Sequence, residues 1–319
     1  MIDTTRASFK SMLVRPPVGD GGRALGGTWQ TRRERRGVWF VAPFMVLFVL
    51  FLLVPVGYAA YLSLFTNTLI GGSHLSGFSN YGQVFSSGQF WNGFLRVVIF
   101  GAIQVPLTLV LATLFALLFD IGLARFGRFF RTLFFIPFAV PAVVASIMWS
   151  FLFEPQFGPF TKLGSTFGFG NINFFSPKLI LPTIIVIVIW EFTGYNMVIM
   201  YTALKAVPRP LIEAALVDGA SLRTIIWRIK LPMVRPAIVM LLFLNVIGAL
   251  QLFTEPSILA SFEPQAISYS FTPTIFIYNT AIGSNEYNMG AAAAIVLAFL
   301  IFLISFGSLL LRRGGERSR

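Results

Sequence analysis

Six apolar runs, each long enough to cross a bilayer as a helix, constrain this chain more than anything else in its sequence. They lie at 37–65, 91–119, 132–153, 179–203, about 233–259 and 289–311. About 20 helical residues span the ~30 Å hydrocarbon layer, and a helix satisfies its own backbone there. The ten-residue alternating segments of a membrane barrel are absent. Only 11% of the 319 residues are charged, against about a quarter in soluble domains, and 56% are hydrophobic. The expectation is an all-α membrane protein with six transmembrane helices. With no cysteine, neither a disulfide framework nor a thiolate metal site is available. The single His74 falls in a Gly/Ser-rich stretch and reads as a solvated loop residue, since a metal site needs several converging ligands.

Lysine and arginine set the expected orientation. Eight lie before residue 37, three between the second and third runs, six in 204–235 and four after residue 311. Only Arg96, Lys162 and Lys178 belong to the opposite side. That asymmetry predicts both termini and the 204–232 loop in the cytoplasm. The net charge of +12 is thereby a topology signal that needs no nucleic acid to explain it. Residues 1–36 are expected as a basic, disordered cytoplasmic tail, 37–311 as the membrane domain and 312–319 as a second basic tail. The run after residue 36 is too long for the core of a signal peptide.

Between the fourth and fifth runs the chain turns polar, in "EAALVDGASLRTIIWRIKLP" (213–232). Pro210 falls near a helix start and Glu213 in its first turn, where a carboxylate meets the positive end of the dipole. Asp218-Gly219 is a stop signal, because glycine adopts the left-handed conformation that closes a helix. Ser221 is the expected N-cap of a second helix. There Leu222, Ile225, Ile226 and Ile229 form one apolar stripe, Arg223, Arg228 and Lys230 point elsewhere, and Leu231-Pro232 ends the helix. Two readings stay open on helix physics: an amphipathic helix lying in the headgroups, or a rigid helical pair that docks into a soluble partner.

The segment resembles the EAA loop of transmembrane subunits of bacterial ABC importers. That pattern is EAA, three residues, Gly, nine residues, Ile-x-Leu-Pro. Here it is met by Glu213-Ala214-Ala215, Gly219, Ile229, Leu231 and Pro232 with every spacing kept. "FSNYGQVFSSGQFWNGFLRVVIF", "RTLFFIPFAVPAVVASIMW" and "YNMGAAAAIVLAF" are similar to the sugar and glycerol-3-phosphate permease branch. The resemblance covers about residues 37–311. It implies the type I ABC importer permease fold and an ATPase contact at Glu213, Ala214, Ala215, Asp218 and Gly219, with Ile229, Leu231 and Pro232 completing the coupling loop. It further implies a second homologous permease, two ATP-binding cassette subunits and an extracytoplasmic solute-binding protein. No cofactor is expected in this chain, ATP and Mg being bound by the partner ATPase.

Polar groups inside spans are costly and point to a pathway by default. Glu191 sits 12 residues into the fourth run, near the bilayer midplane, with Tyr195 and Thr202 on its helical face and Asn196 beside them. Gln104 and Asn245 are central in their runs, and Gln251 and Glu255 lie four apart on one expected face. An aromatic ring with amide and carboxylate acceptors suits a polyhydroxylated ligand, the ring stacking on C–H faces and the acceptors taking hydroxyls. Interhelical glue is the competing role for each residue. The basic groups that glycerol-3-phosphate would want are missing from the interiors of the fourth and fifth runs. An ion-coupled secondary transporter would need inverted repeats, and none is visible. The chain also lacks a phosphate loop and the common hydrolase motifs, so it is expected to be no enzyme.

Overall fold

The computed structural model of the chain describes residues 39–68, 72–122, 127–168, 170 and 172–316, with side chains as far as Phe306. The expected N-terminal tail therefore lies outside the described residues. The chain divides into two compact units, Met1–Tyr58 and Ala59–Arg319.

Among the described residues, five helices are long and apolar enough to cross a membrane: α1 (Trp39–Ser63), α3 (Gly88–Asp120), α7 (Ile180–Lys205), the helical stretch Arg235–Phe262 and the last helix. A bent pair, α4 (Gly127–Ala139) and α5 (Ala142–Leu152), makes six if counted as one span. Pro137 and Pro141 lead the sequence to expect a bend in the third span, and its two halves meet at 96°. The cause is Pro141: its ring pushes Val140 out of helical conformation, and Pro141 itself is extended at ψ 133° as the N-cap of α5.

The first long helix is followed by a hairpin of β1 (Phe65–Thr68) and β2 (Gly72–Leu75), in which Thr66 pairs with His74. His74 is thus an exposed strand residue and not a loop residue. Helix α2 (Ser79–Ser86) locks this corner: Asn80 Nδ2 donates to the Ser63 and Phe65 carbonyls. Asn288, near the start of the last helix, donates to Leu62 and Phe65. Short α6 (Pro159–Thr166) precedes α7.

Helix α7 is the centre of the bundle. Its apolar residues are buried on several faces, among them Ile184, Ile187, Met197 and Met200, because α3, α4, α5 and α11 (Arg235–Leu250) all pack on it. The closest approach is at Gly194, where a Cβ would lie 1.7 Å from the Phe134 carbonyl oxygen of α4. Only a residue without a side chain lets the two backbones cross there.

Helices α8 (Arg209–Val217), α9 (Leu222–Ile225) and α10 (Leu231–Met233) build the polar loop, with a π-helical turn, Ile226–Lys230, joining the last two. The Arg235–Phe262 span is broken into α11 and α12 (Thr254–Phe262). Pro256 explains the break: in a continuous helix its ring would strike the Leu252 carbonyl, whereas in the first turn of α12 its missing N–H costs nothing. After α13 (Pro273–Tyr278), α14 (Tyr287–Glu316) closes the chain and runs past residue 312, where the second tail was expected to begin. The small residues Ala292 and Ala293 are fully buried against a cluster containing Phe90 and Phe276, and Gly290 lies against Ala281.

Candidate functional site: a polar cavity and an exposed loop

A cavity of about 400 Å³ opens among α3, α7, α11 and the α11–α12 break. Its polar lining is Gln104 from α3, Tyr195 and Asn196 from α7, Asn245 from α11, Gln251 from the break, and Thr254 and Glu255 from the first turn of α12. Phe100, Val188, Phe192, Leu244 and Phe253 give it apolar walls, and no lysine or arginine lines it. Five of the six expected pathway residues are brought together here. The sixth, Glu191, is not on the lining: it is buried at 4% exposure, and its Oε2 has no hydrogen-bond partner among the described residues. Thr202 is also elsewhere, its hydroxyl bonded to the Ile199 carbonyl.

The shared helical face expected for Gln251 and Glu255 does not exist. Gln251 caps α11 and Glu255 opens α12, so the broken helix, and not a four-residue period, delivers both to the cavity. Glu255 lies in the first turn of α12, where its carboxylate meets the positive end of the helix dipole.

Asn196 and Asn245 fill both competing roles. Asn245 Nδ2 donates to Asn196 Oδ1 at 2.8 Å, joining α7 to α11, and each amide also donates to a carbonyl four residues back in its own helix. Their donors are largely used, while the pair still faces the cavity. Tyr195, which also lines the cavity, is held by its ring, stacked on Phe138 at 4.3 Å between centroids. Gln104 donates to Thr108 one turn on, so its carbonyl oxygen remains an acceptor. The arrangement is a lumen rich in hydroxyl-binding groups with an aromatic shelf.

The loop follows the opposite rule, with apolar groups turned outward. Helix α8 begins with Pro210 in its first turn and ends in two paired bonds: Gly219 N–H donates to Leu216 and Ala220 N–H to Ala215. This is a Schellman closure, and Gly219 takes φ +75° as it requires. Ser221 then caps α9, its side chain accepting from the Thr224 N–H. Glu213 lies in the second turn of α8 and not the first, so the expected dipole contact is absent. Glu213, Ala214, Asp218 and Gly219 are exposed at the turn, together with Leu216 and Val217, the latter at 88%. Ala215 is half-buried, and so are Ile229, Leu231 and Pro232, which form the stem towards α11.

Leu231-Pro232 does not end the helix as expected. Pro232 has no N–H and crowds the Arg228 carbonyl, and the chain answers by widening: Leu231 N–H bonds to Ile226, five residues back. The same device stands before Pro55, where Val54 N–H bonds to Val49. Widening also breaks the expected apolar stripe: Ile225 is buried, Ile226 and Ile229 are half-buried and Leu222 is exposed.

One functional-looking group escaped the sequence reading. Asp120, the last residue of α3, pairs with Lys205 at the end of α7, at 3.0 Å, and with Lys230 of the π turn. A lone acid after an apolar run gives no hint of partners 85 and 110 residues away. Among the described residues, no group of three or more metal-ligating side chains converges.

Comparison with known proteins agrees with this architecture. The chain is 29% identical over 266 residues to the sn-glycerol-3-phosphate transport system permease protein UgpA of Salmonella typhimurium, covering 83% of this chain and 90% of that one. It is 28% identical over 283 residues to the trehalose/maltose transport system permease protein MalF of Thermococcus litoralis, covering 86% and 95%. Its fold matches a chain of a bacterial alginate ABC transporter, solved with an alginate pentasaccharide-bound periplasmic protein. The TM-score is 0.73 at 21% identity, covering 88% of this chain and 94% of that one. The family described as binding-protein-dependent transport system inner membrane component matches residues 110–313, and this chain belongs to it.

Proposed function

We propose that this chain is one of two permease subunits of an importer that carries a neutral carbohydrate, driven by separate ATPase subunits docked on the 209–233 loop. The observation that carries the substrate class is the cavity: amides, hydroxyls, one carboxylate and aromatic rings, without a cation. Such a lining pairs with hydroxyls and C–H faces and leaves a phosphate or carboxylate unneutralised. The likeness to UgpA favours glycerol-3-phosphate as a second reading, and the likeness to MalF favours a sugar. Between them, the chemistry of the lining supports the sugar.

In this reading Tyr195, Asn196, Asn245, Gln251 and Glu255 bound the pathway, with Glu191 just behind it. Glu213, Ala214, Ala215, Asp218 and Gly219 meet the ATPase, and Ile229, Leu231 and Pro232 join the dock to the membrane helices. Exposed Leu216 and Val217 support this use, because apolar groups held in water at a closed turn mark an interface. The membrane domain is 37–311, with both termini and the loop cytoplasmic by the lysine and arginine asymmetry. ATP and Mg belong to the partner ATPase, and a solute-binding protein delivers the ligand from outside.

The test is purification in mild detergent, wild type beside Gly219→Val, with mass spectrometry of the co-purifying chains. A bound ATP-binding cassette subunit and second permease with wild type, and loss of the ATPase alone from the variant, is the expected result. Uptake into proteoliposomes of labelled maltose against labelled glycerol-3-phosphate, using the reconstituted importer with its binding protein, then separates the ligands. ATP-dependent uptake of the phosphate ester alone would sink the carbohydrate reading.

A further inference from the structure

The loop and the cavity helices meet at one buried carboxylate. Asp120 is 5% exposed at the C-terminal end of α3, a place where the helix dipole already disfavours negative charge. Two lysines offset that: Lys205 from the last turn of α7 and Lys230 from the loop. Lys230 is the more deeply placed, its side chain 9% exposed against 48% for Lys205. Around them Tyr201 carries Arg131 of α4 on its face at 4.4 Å and Lys205 at 5.4 Å. The loop, α3, α4 and α7 are thus gathered at one point.

The π turn is what brings Lys230 there. On an α-helix a residue five positions after Ile225 would lie about 140° round the axis from it. In the widened turn, with its i→i+5 bond, five residues make roughly one full circuit, so Lys230 returns to the buried face of Ile225. Pro232 therefore acts at a distance of two residues: it forces the widening that aims Lys230 at Asp120. The helices joined in this way, α3 and α7, are the ones that supply Gln104, Tyr195 and Asn196 to the cavity.

We infer that Asp120 is the tie that makes the loop and the cavity helices move as one piece, with Lys230 as the loop's attachment and Lys205 as that of α7. This rests on the reading of the loop as the ATPase dock. Both Asp120 and Lys230 are positioning residues: neither touches solute or nucleotide, and their effect is to pass displacement of the dock to the cavity wall. A short covalent stem alone would let the loop swivel about Val234, which breaks the helix at φ −92°, ψ 5°; a second, buried attachment removes that freedom.

The test uses the complete importer in proteoliposomes with MgATP as probe. The chain has no cysteine, so Gly248→Cys, at a cavity position with open space for a Cβ, reports through its labelling by a soluble maleimide. MgATP is expected to change that labelling rate in the otherwise wild-type importer. Lys230→Met is expected to reduce the change roughly fivefold or more. In that variant the ATPase still co-purifies and still hydrolyses ATP, and Asp120 keeps Lys205. Lys230→Arg is expected to retain the response, and Asp120→Asn to lose it. A normal response in Lys230→Met overturns the tie. So does loss of the ATPase from that variant, which would make the pair a prop for the dock's shape and not a transmitter. Failure of the docking reading itself looks different: no ATPase accompanies wild type, or Gly219→Val keeps both the ATPase and the response.

Discussion

The cavity and the loop break the usual distribution of side chains in opposite directions. In the cavity, amides and a carboxylate stand inside helices otherwise made of Phe, Leu, Ile and Val. In the loop, Leu216 and Val217 stand in the open on a short helix closed at its C-terminal end by the Gly219 turn. The turn at Asp218–Ser221 is built from hydrogen bonds among immediate neighbours, so its shape is a local matter, and only the stem reaches out through Lys230 to Asp120. The cavity draws on residues from 100 to 255, and its shape depends on how four helices cross. The difference teaches that substitutions in the two places fail differently: in the loop a change disturbs one turn, whereas at a helix crossing it disturbs the whole lumen.

The strongest way to break that contrast is Gly194→Val. With the Phe134 carbonyl 1.7 Å from a Cβ position, α4 and α7 must separate, and the cost is expected above about 3 kcal/mol. Fluorescence-detected size exclusion should show loss of monodisperse protein, and a normal profile would refute the crossing. Next is Gly219→Val, where φ +75° strains a β-branched residue by about 1–3 kcal/mol. The strain is confined to the turn, so the detergent-purified chain is expected to keep its elution profile while the proposed ATPase association is lost. Ser221→Ala removes the cap of α9 for about 1 kcal/mol, and hydrogen exchange at 222–226 is expected to rise with no change in α3 or α7.

Asn245→Ala sharpens the cavity side. Loss of the α7–α11 amide bond costs about 0.6 kcal/mol, read as a small fall in melting temperature, together with a fall in uptake. The smallest structural effect is expected from Gln251→Ala, an exposed cap residue worth within about 0.5 kcal/mol of stability. Uptake KM for the carbohydrate should nevertheless rise. An unchanged KM would leave Gln251 as lining without contact.

Much of this was legible in the sequence for physical reasons that apply residue by residue. Long apolar runs have one way to satisfy their backbone in lipid, and five of the six appear as long helices. Asp218-Gly219 and Ser221 state a stop and a start through local hydrogen bonds, and both stand as read. Prolines announced deviations without stating their kind. Pro141 broke a span at 96°, Pro256 placed a break beside the cavity, and Pro55 and Pro232 widened a helix without ending it. Which outcome follows depends on whether neighbouring helices can accept a bend, and periodicity carries no record of that.

The sequence by itself determined that this chain is a helical membrane protein with one structured polar loop, because hydropathy and capping act over a turn or a span. Only the tertiary structure decided which polar residues share a lumen, that Glu191 stands behind it, and that Asp120 finds Lys205 and Lys230. Those outcomes depend on helix crossings such as Gly194 on Phe134 and on a π turn that rotates one lysine inward. Such rotations and crossings are set by packing between segments far apart in the chain, and no local pattern encodes them.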